Sequence, residues 1–202
     1  RLDEERAQLS SITKMKDELK SRDKIIQKEF LNNLVHGSVD MTSLMQKCNE
    51  LKINLLSRYY KVLICKIESK THNEENQQVA CSLLNSYSAS WEQTVSFFHH
   101  SNRLVCIFKG MTQAELDENT YSIAENIEHI VLQNPDCYSI TAIGKTVEHL
   151  SDLHSSYDGA KHILEITPSS VPYTVSINDS FGYEHVVSGN QVMGFAGYYV
   201  GG

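Results

Sequence analysis

The chain has 202 residues, of which 41% are hydrophobic and 21% charged, and a formal charge of −7 at pH 7. This balance suits one buried core with an appendage and excludes a chain that stays unfolded throughout. Residues 1–37 hold 8 Lys or Arg against 7 Asp or Glu, and the remainder 10 against 18, so the body is acidic and a poor surface for a nucleic-acid backbone, whose counterions are displaced by clustered cations.

No run of about 18 uncharged apolar residues occurs, and the opening Arg1-Leu2-Asp3-Glu4-Glu5-Arg6 is too charged for a secretory signal. The expected setting is the cytoplasm, with no membrane contact. Five cysteines, Cys48, Cys65, Cys81, Cys106 and Cys137, are scattered and mostly flanked by apolar residues. They read as reduced core thiols, with no CxxC pair for zinc or redox chemistry.

Residues 3 to 36 carry no Gly or Pro and are rich in Glu, Lys, Arg, Gln and Leu, which predicts one long helix stopped by Gly37 as a left-handed cap. A seven-residue frame sets Leu2, Leu9, Lys16, Asp23 and Phe30 at one seam position, and Glu5, Ile12, Leu19, Ile26 and Asn33 at the other. Such a helix reaches about 50 Å at ~1.5 Å per residue, more than one small domain covers. Either a partner helix, parallel or antiparallel, shields its first half, or that half folds back or frays. The frame gives Leu2, Leu9, Ile12, Lys16, Leu19, Asp23 and Ile26 as the dimer interface. Ile25, Ile26, Phe30, Leu31 and Leu34 are expected to dock on the domain.

From Asp40, a plausible N-cap, to Asn54 the spacing of Met41, Leu44, Met45, Cys48, Leu51 and Leu55 predicts a second helix. Tyr59 to Glu68 is β-branched and apolar on both alternating faces, as in a central strand. The polar stretch Ser69 to Gln78 opens a helix with Val79, Ala80, Leu83, Leu84 and Tyr87 on one stripe. A hairpin follows: Thr94 to Phe98, a four-residue turn His99-His100-Ser101-Asn102, and Arg103 to Gly110.

Thr112 and Glu115 form a capping box, and Leu116, Ile123, Ala124, Ile127, Ile130 and Val131 continue as a helical face up to Pro135. Tyr138 to Ile143 is a strand turned by Gly144. Leu153, Tyr157, Ala160 and Leu164 mark another helix, and Tyr173 to Ile177 a last strand. Six of the ten glycines lie in the final 21 residues, a tail read as loop or edge strand. The order after the first helix is helix, then β-α-β-β-α-β-α-β, which predicts a mixed sheet covered largely on one face.

Few motifs carry chemistry. Gly144-Lys145-Thr146 ends a strand, but a phosphate-binding loop needs a glycine where Ser139 stands. His99 and His100 are adjacent on an extended segment, so they point to opposite sides and suit a hairpin surface better than one metal ion. Glu148-His149 with His154 lacks the spacing that puts two imidazoles on one helical face. No catalytic, cofactor-binding or metal-ligating residue is expected, and the chain is read as no enzyme.

The segment from Ile140 to Ala160, with Ile143-Gly144 at its head and Leu150-Ser151-Asp152-Leu153-His154-Ser155-Ser156-Tyr157-Asp158-Gly159-Ala160 at its end, resembles the degenerate GGDEF-like middle domain of bacterial AraC-type two-component response regulators. Phe30-Leu31-Asn32-Asn33-Leu34-Val35-His36-Gly37 is similar to the start of that domain. The resemblance spans about residues 25 to 180. It implies an α+β chain: a coiled-coil helix over 1–37, a ferredoxin-like or nucleotide-cyclase-like mixed sheet covered by helices over 38–180, and a Gly-rich tail over 181–202.

It further implies a non-catalytic module of a transcription regulator, coupling an upstream receiver to a DNA-binding domain outside these residues. The partner is then a second copy through the first helix, with DNA met only by that other domain. The alternative is a sensor for a small metabolite or nucleotide. Active relatives carry Gly-Gly-Asp/Glu-Glu-Phe at the hairpin and a metal-binding aspartate on the first strand. Here His99-His100-Ser101-Asn102 takes the first place, and Cys65, Lys66, Ile67 and Glu68 the second.

Overall fold

A computed structural model describes residues 2–166 and, beyond them, the backbone of residues 173–178, 182–188 and 191–193. Helix α1 (Leu2–Val35) is continuous over 34 residues. It closes in a Schellman motif: the Ser38 amide donates to Asn33 O at 2.9 Å and the Gly37 amide to Leu34 O at 3.1 Å, with Gly37 at φ +69°. The cap is therefore where the sequence puts it.

Helix α2 (Leu44–Glu50) is half the expected length. Asp40 is the reason: its carboxylate accepts from the Thr42 amide at 3.0 Å and the Thr42 hydroxyl at 2.6 Å. That closes a local turn and spends the side chain before any helix begins. Lys52, at φ +56°, ends the segment. Leu44 and Cys48 are buried as expected, whereas Met41 and Met45 face solvent.

Strand β1 (Tyr59–Ser69) is central, antiparallel to β3 (Arg103–Gly110) on one side and β4 (Cys137–Ile143) on the other. Strand β2 (Thr94–His99) pairs with β3, and β4 runs parallel to β5 (Tyr173–Asn178), which leads to β6 (Gly182–Ser188) and β7 (Gln191–Met193). The sheet order β2-β3-β1-β4-β5-β6-β7 is thus mixed, as predicted. The tail region contributes two strands. The hairpin turn is His100-Ser101-Asn102, one residue shorter than expected, because His99 still pairs with Arg103.

Cover on one face is corrected. Tyr60, Val62 and Ile64 of β1 pack with the end of α1, with α2 and with α5 (Leu153–Ile166). Leu63, Cys65 and Ile67 pack on the opposite side with α3 (Glu74–Ser88) and α4 (Gln113–Val131). Two separate cores explain why β1 carries apolar residues on both of its faces. Lys61, the cation in this run, reaches Asp117 of α4 in an ion pair, which is what makes a buried ammonium tolerable.

Helix α4 buries the predicted face, from Leu116 to Val131. Thr112 Oγ1 accepts from the Glu115 amide at 3.2 Å, while the Glu115 carboxylate accepts from Met111 N at 3.1 Å, one residue before the usual reciprocal position. Helix α3 is rotated from its expected stripe. Ala80, Cys81, Leu84 and Ser88 are buried, and Val79 and Tyr87 are exposed. Small side chains let α3 approach α4 and the sheet closely, a phase that apolar spacing does not encode.

Near its start β1 loses β4 as a neighbour, because β4 ends at Ile143. Gly144 N still donates to Val62 O at 2.8 Å, but the Val62 amide is met by the Ser156 hydroxyl of α5, at 3.0 Å. Both residues are fully buried. Gly144 admits that approach, since a Cβ there would lie 2.0 Å from Ser156 O. Ser156→Ala strands a buried amide and is expected to lower the unfolding free energy by about 1–3 kcal/mol in urea denaturation at neutral pH. An unchanged midpoint would show that the amide has another partner.

Candidate functional site

Three features are placed around the domain: the C-terminal end of β1, the hairpin tip and the α1 stripe. At the end of β1, Ile67 O accepts from Gln77 Nε2 at 2.6 Å and from Asn102 Nδ2 at 3.3 Å, and the Ile67 amide donates to Asn102 O at 2.9 Å. Glu68 is in an ion pair with Lys66. The amides of Glu75 and Asn76 that open α3 donate to Asn73 Oδ1, at 2.9 and 3.2 Å. Donors that an anion would use there are already occupied, and Glu74 and Glu75 stand in the first turn.

The loop between β1 and α3 is tied down from outside. Asp136 accepts from Ser69 Oγ at 2.6 Å, Thr71 Oγ1 at 2.8 Å, Thr71 N at 3.1 Å and Asn76 Nδ2 at 3.0 Å. The hydrogen bonds from Ser69 and Asn76, then those from Thr71, outweigh desolvation and hold its carboxyl down to about 2. The concavity beside this loop, about 200 Å³, is lined by Glu68, Ser69, His72, Asn73, Glu74 and Gln77. It is smaller than a typical pocket of roughly 300–1,000 Å³ for a drug-sized ligand. Among the described residues no group of three His, Cys, Asp or Glu side chains has the geometry to hold a metal ion.

The hairpin tip departs from its expected geometry. His100 adopts φ +59°, so the chain is not extended there, and the His99 and His100 rings meet with centroids 4.0 Å apart. They do not point to opposite sides. His36, at the end of α1, lies 5.8 Å from His99 and 4.8 Å from Tyr157 of α5, ring centre to ring centre. Sequence reading left this cluster unseen. Its one legible signal was the pair His36-Gly37, which places an imidazole at the end of the long helix.

Along α1, Leu2, Leu9, Ile12, Leu19 and Ile26 are exposed, at 74%, 64%, 50%, 60% and 42%, and Lys16 and Asp23 between them are exposed as well. None of the described residues folds back on this stripe. Docking begins only at Phe30, with Leu31, Leu34 and Val35 buried beneath it. Ile25 and Ile26, expected on the docked face, stay in solvent, because that face follows Gln27, Phe30, Leu31 and Leu34 round the helix. Gln27 Nε2 donates to Leu51 O at 2.7 Å and marks the edge of the contact.

All five cysteines are buried and free. Burial pushes Cys65 up to about 12 and Cys81 up to about 11 and raises Cys106 further from the thiolate range, so none is an activated nucleophile. No helix of the described residues is long and apolar enough to cross a membrane.

A four-stranded antiparallel centre with helices on both faces, entered by a long helix and turned at the β2–β3 hairpin, is a nucleotide-cyclase-like α+β domain. The chain belongs to the GGDEF-like domain family, whose pattern it matches over residues 36–166, more than half of its length. A comparison with curated proteins found no match.

The Asp136 network carries a pH signature. A carboxyl held at about 2 against its ordinary 3.8 stabilises the fold above 3.8, and that contribution is lost as the pH falls toward 2. Asp136→Asn is therefore expected to be less stable than the parent at pH 6, with the gap closing as the pH approaches 2. Urea midpoints at the two pH values test this. A gap that does not change with pH would mean that the carboxylate charge does not hold the loop.

Proposed function

We propose that the chain is a non-catalytic dimerisation and signal-transmission module of a bacterial transcriptional response regulator of the AraC type. In this reading α1 pairs two copies and receives the state of an upstream receiver domain. The GGDEF-like domain passes it to a DNA-binding domain outside these residues. The observation that carries the proposal is the division of α1: an apolar stripe from Leu2 to Ile26 without cover among the described residues, on a helix whose last turn is buried in the core through Phe30, Leu31, Leu34 and Val35.

A second helix in knobs-into-holes contact shields that stripe, and any rotation of the pair acts directly on the docked turn. Lys16 and Asp23 within the seam lower the stability of pairing and restrict its register. The absence of turnover is supported by the occupied donors at the start of α3 and by imidazoles at the hairpin, where close approach of phosphates requires glycine.

Sedimentation equilibrium at tens of micromolar tests the pairing: the parent chain is expected to be a dimer, and Leu19→Asp a monomer. Monomers in both samples would refute the proposal. Incubation with guanosine triphosphate and Mg²⁺ is expected to yield no product above background. Mg²⁺-dependent turnover that disappears in Glu68→Gln would overturn the non-catalytic assignment.

A further inference from the structure

Imidazoles from three separate elements and a turn converge where α1 meets the domain. His36 follows the last turn of α1, His99 ends β2, His100 lies in the hairpin turn, and His154 of α5 stands against Gly37, where an added Cβ would meet its Cβ at 3.4 Å. The first three form a chain of ring contacts 5.8 and 4.0 Å apart, backed by Tyr157. His36 Nδ1 donates to Asn32 O at 2.7 Å and His154 Nδ1 to Ser151 O at 2.9 Å, since a carbonyl can only accept.

The surroundings offer these rings little compensation. His100 and His36 press on His99, followed by Arg103 of β3 and Lys28 of α1, all of them bases. The acids of α5, Asp158 and Glu165, act on Tyr157 instead. Asn32 Oδ1, buried in the same stretch of α1, has no hydrogen-bond partner, so the docked state already carries a polar penalty that water would relieve on opening.

We propose that this cluster makes the junction pH-sensitive: proton uptake by His99, packed against the rings of His36 and His100, loosens the contact between the last turn of α1 and the β2–β3 hairpin and frees α1 to change its angle to the sheet. A cation on the half-buried His99 ring loses hydration and faces basic neighbours, and the elements that meet there can separate without unfolding the sheet. The sign follows from His99, held below its ordinary 6.5 first by desolvation and then by its basic neighbours. A depressed value means that the closed contact is favoured above 6.5 and weakens as the pH drops below it. The device lies within one chain and operates whether or not two copies pair.

Hydrogen exchange of the 202-residue chain at pH 7.5 and pH 5.5, corrected for intrinsic rates, tests the proposal. Relative to α4, protection in residues 31–37 and 97–103 is expected to be lower at pH 5.5 than at pH 7.5, with the loss setting in below 6.5. In a His36→Gln, His99→Gln, His100→Gln variant the ratio should no longer depend on pH. A parent ratio that stays constant, or a loss that persists in the variant, overturns it. Should the triple variant not fold, His99→Gln alone is expected to blunt the change, and a full parental response there overturns the proposal equally.

Discussion

Strand β1 is buried on both faces, and such a strand persists only where each backbone amide along it has a partner, because no water reaches it. β3 and β4 supply most of these partners, but β4 turns away at Gly144. Ser156 of α5 fills the vacancy at Val62. That hydroxyl adds a directional tie to the apolar packing of Leu153, Tyr157, Ala160 and Ile163 that holds α5 on the sheet. The next residue, Tyr157, then stands against His36 and the end of α1.

The opposite end of β1 is governed by polar self-sufficiency. Glu68 is paired with Lys66, Ile67 O is shared by Gln77 and Asn102, and Asp136 gathers the loop that leads into α3. Each of these groups is spent on the chain itself. Compact loops held by several hydrogen bonds give up the adaptability that ligand closure uses, and the acidic first turn of α3 adds an unfavourable field for phosphate. The fold retains the layout of a nucleotide-cyclase-like domain with different chemistry at its loops.

Helix α1 belongs to two environments. Its last turn is core, packed with α5 and β2, while residues 2–26 project their apolar stripe into solvent. Burial of Phe30, Leu31, Leu34 and Val35 anchors that end of the helix to the domain. His36, His99 and Tyr157 make ring contacts at that junction.

The sequence by itself determined the elements whose signals are local. Gly37 as a cap, the Thr112 box, the face from Leu116 to Val131 and the two-faced apolar run of β1 all follow from spacing and backbone preference, and the structure carries each of them. The apolar spacing from Leu2 to Ile26 is local too, and the structure leaves those side chains exposed. Tertiary structure decided what depends on the angle at which elements meet: the rotation of α3 that buries Cys81 and exposes Tyr87, the second helical layer on the sheet, and the exposure of Ile25 and Ile26. It alone brought His36, His99, His100 and His154 together. A left-handed turn residue and a helix crossing separate these four by 63, 1 and 54 positions in the chain, and no periodicity spans such distances.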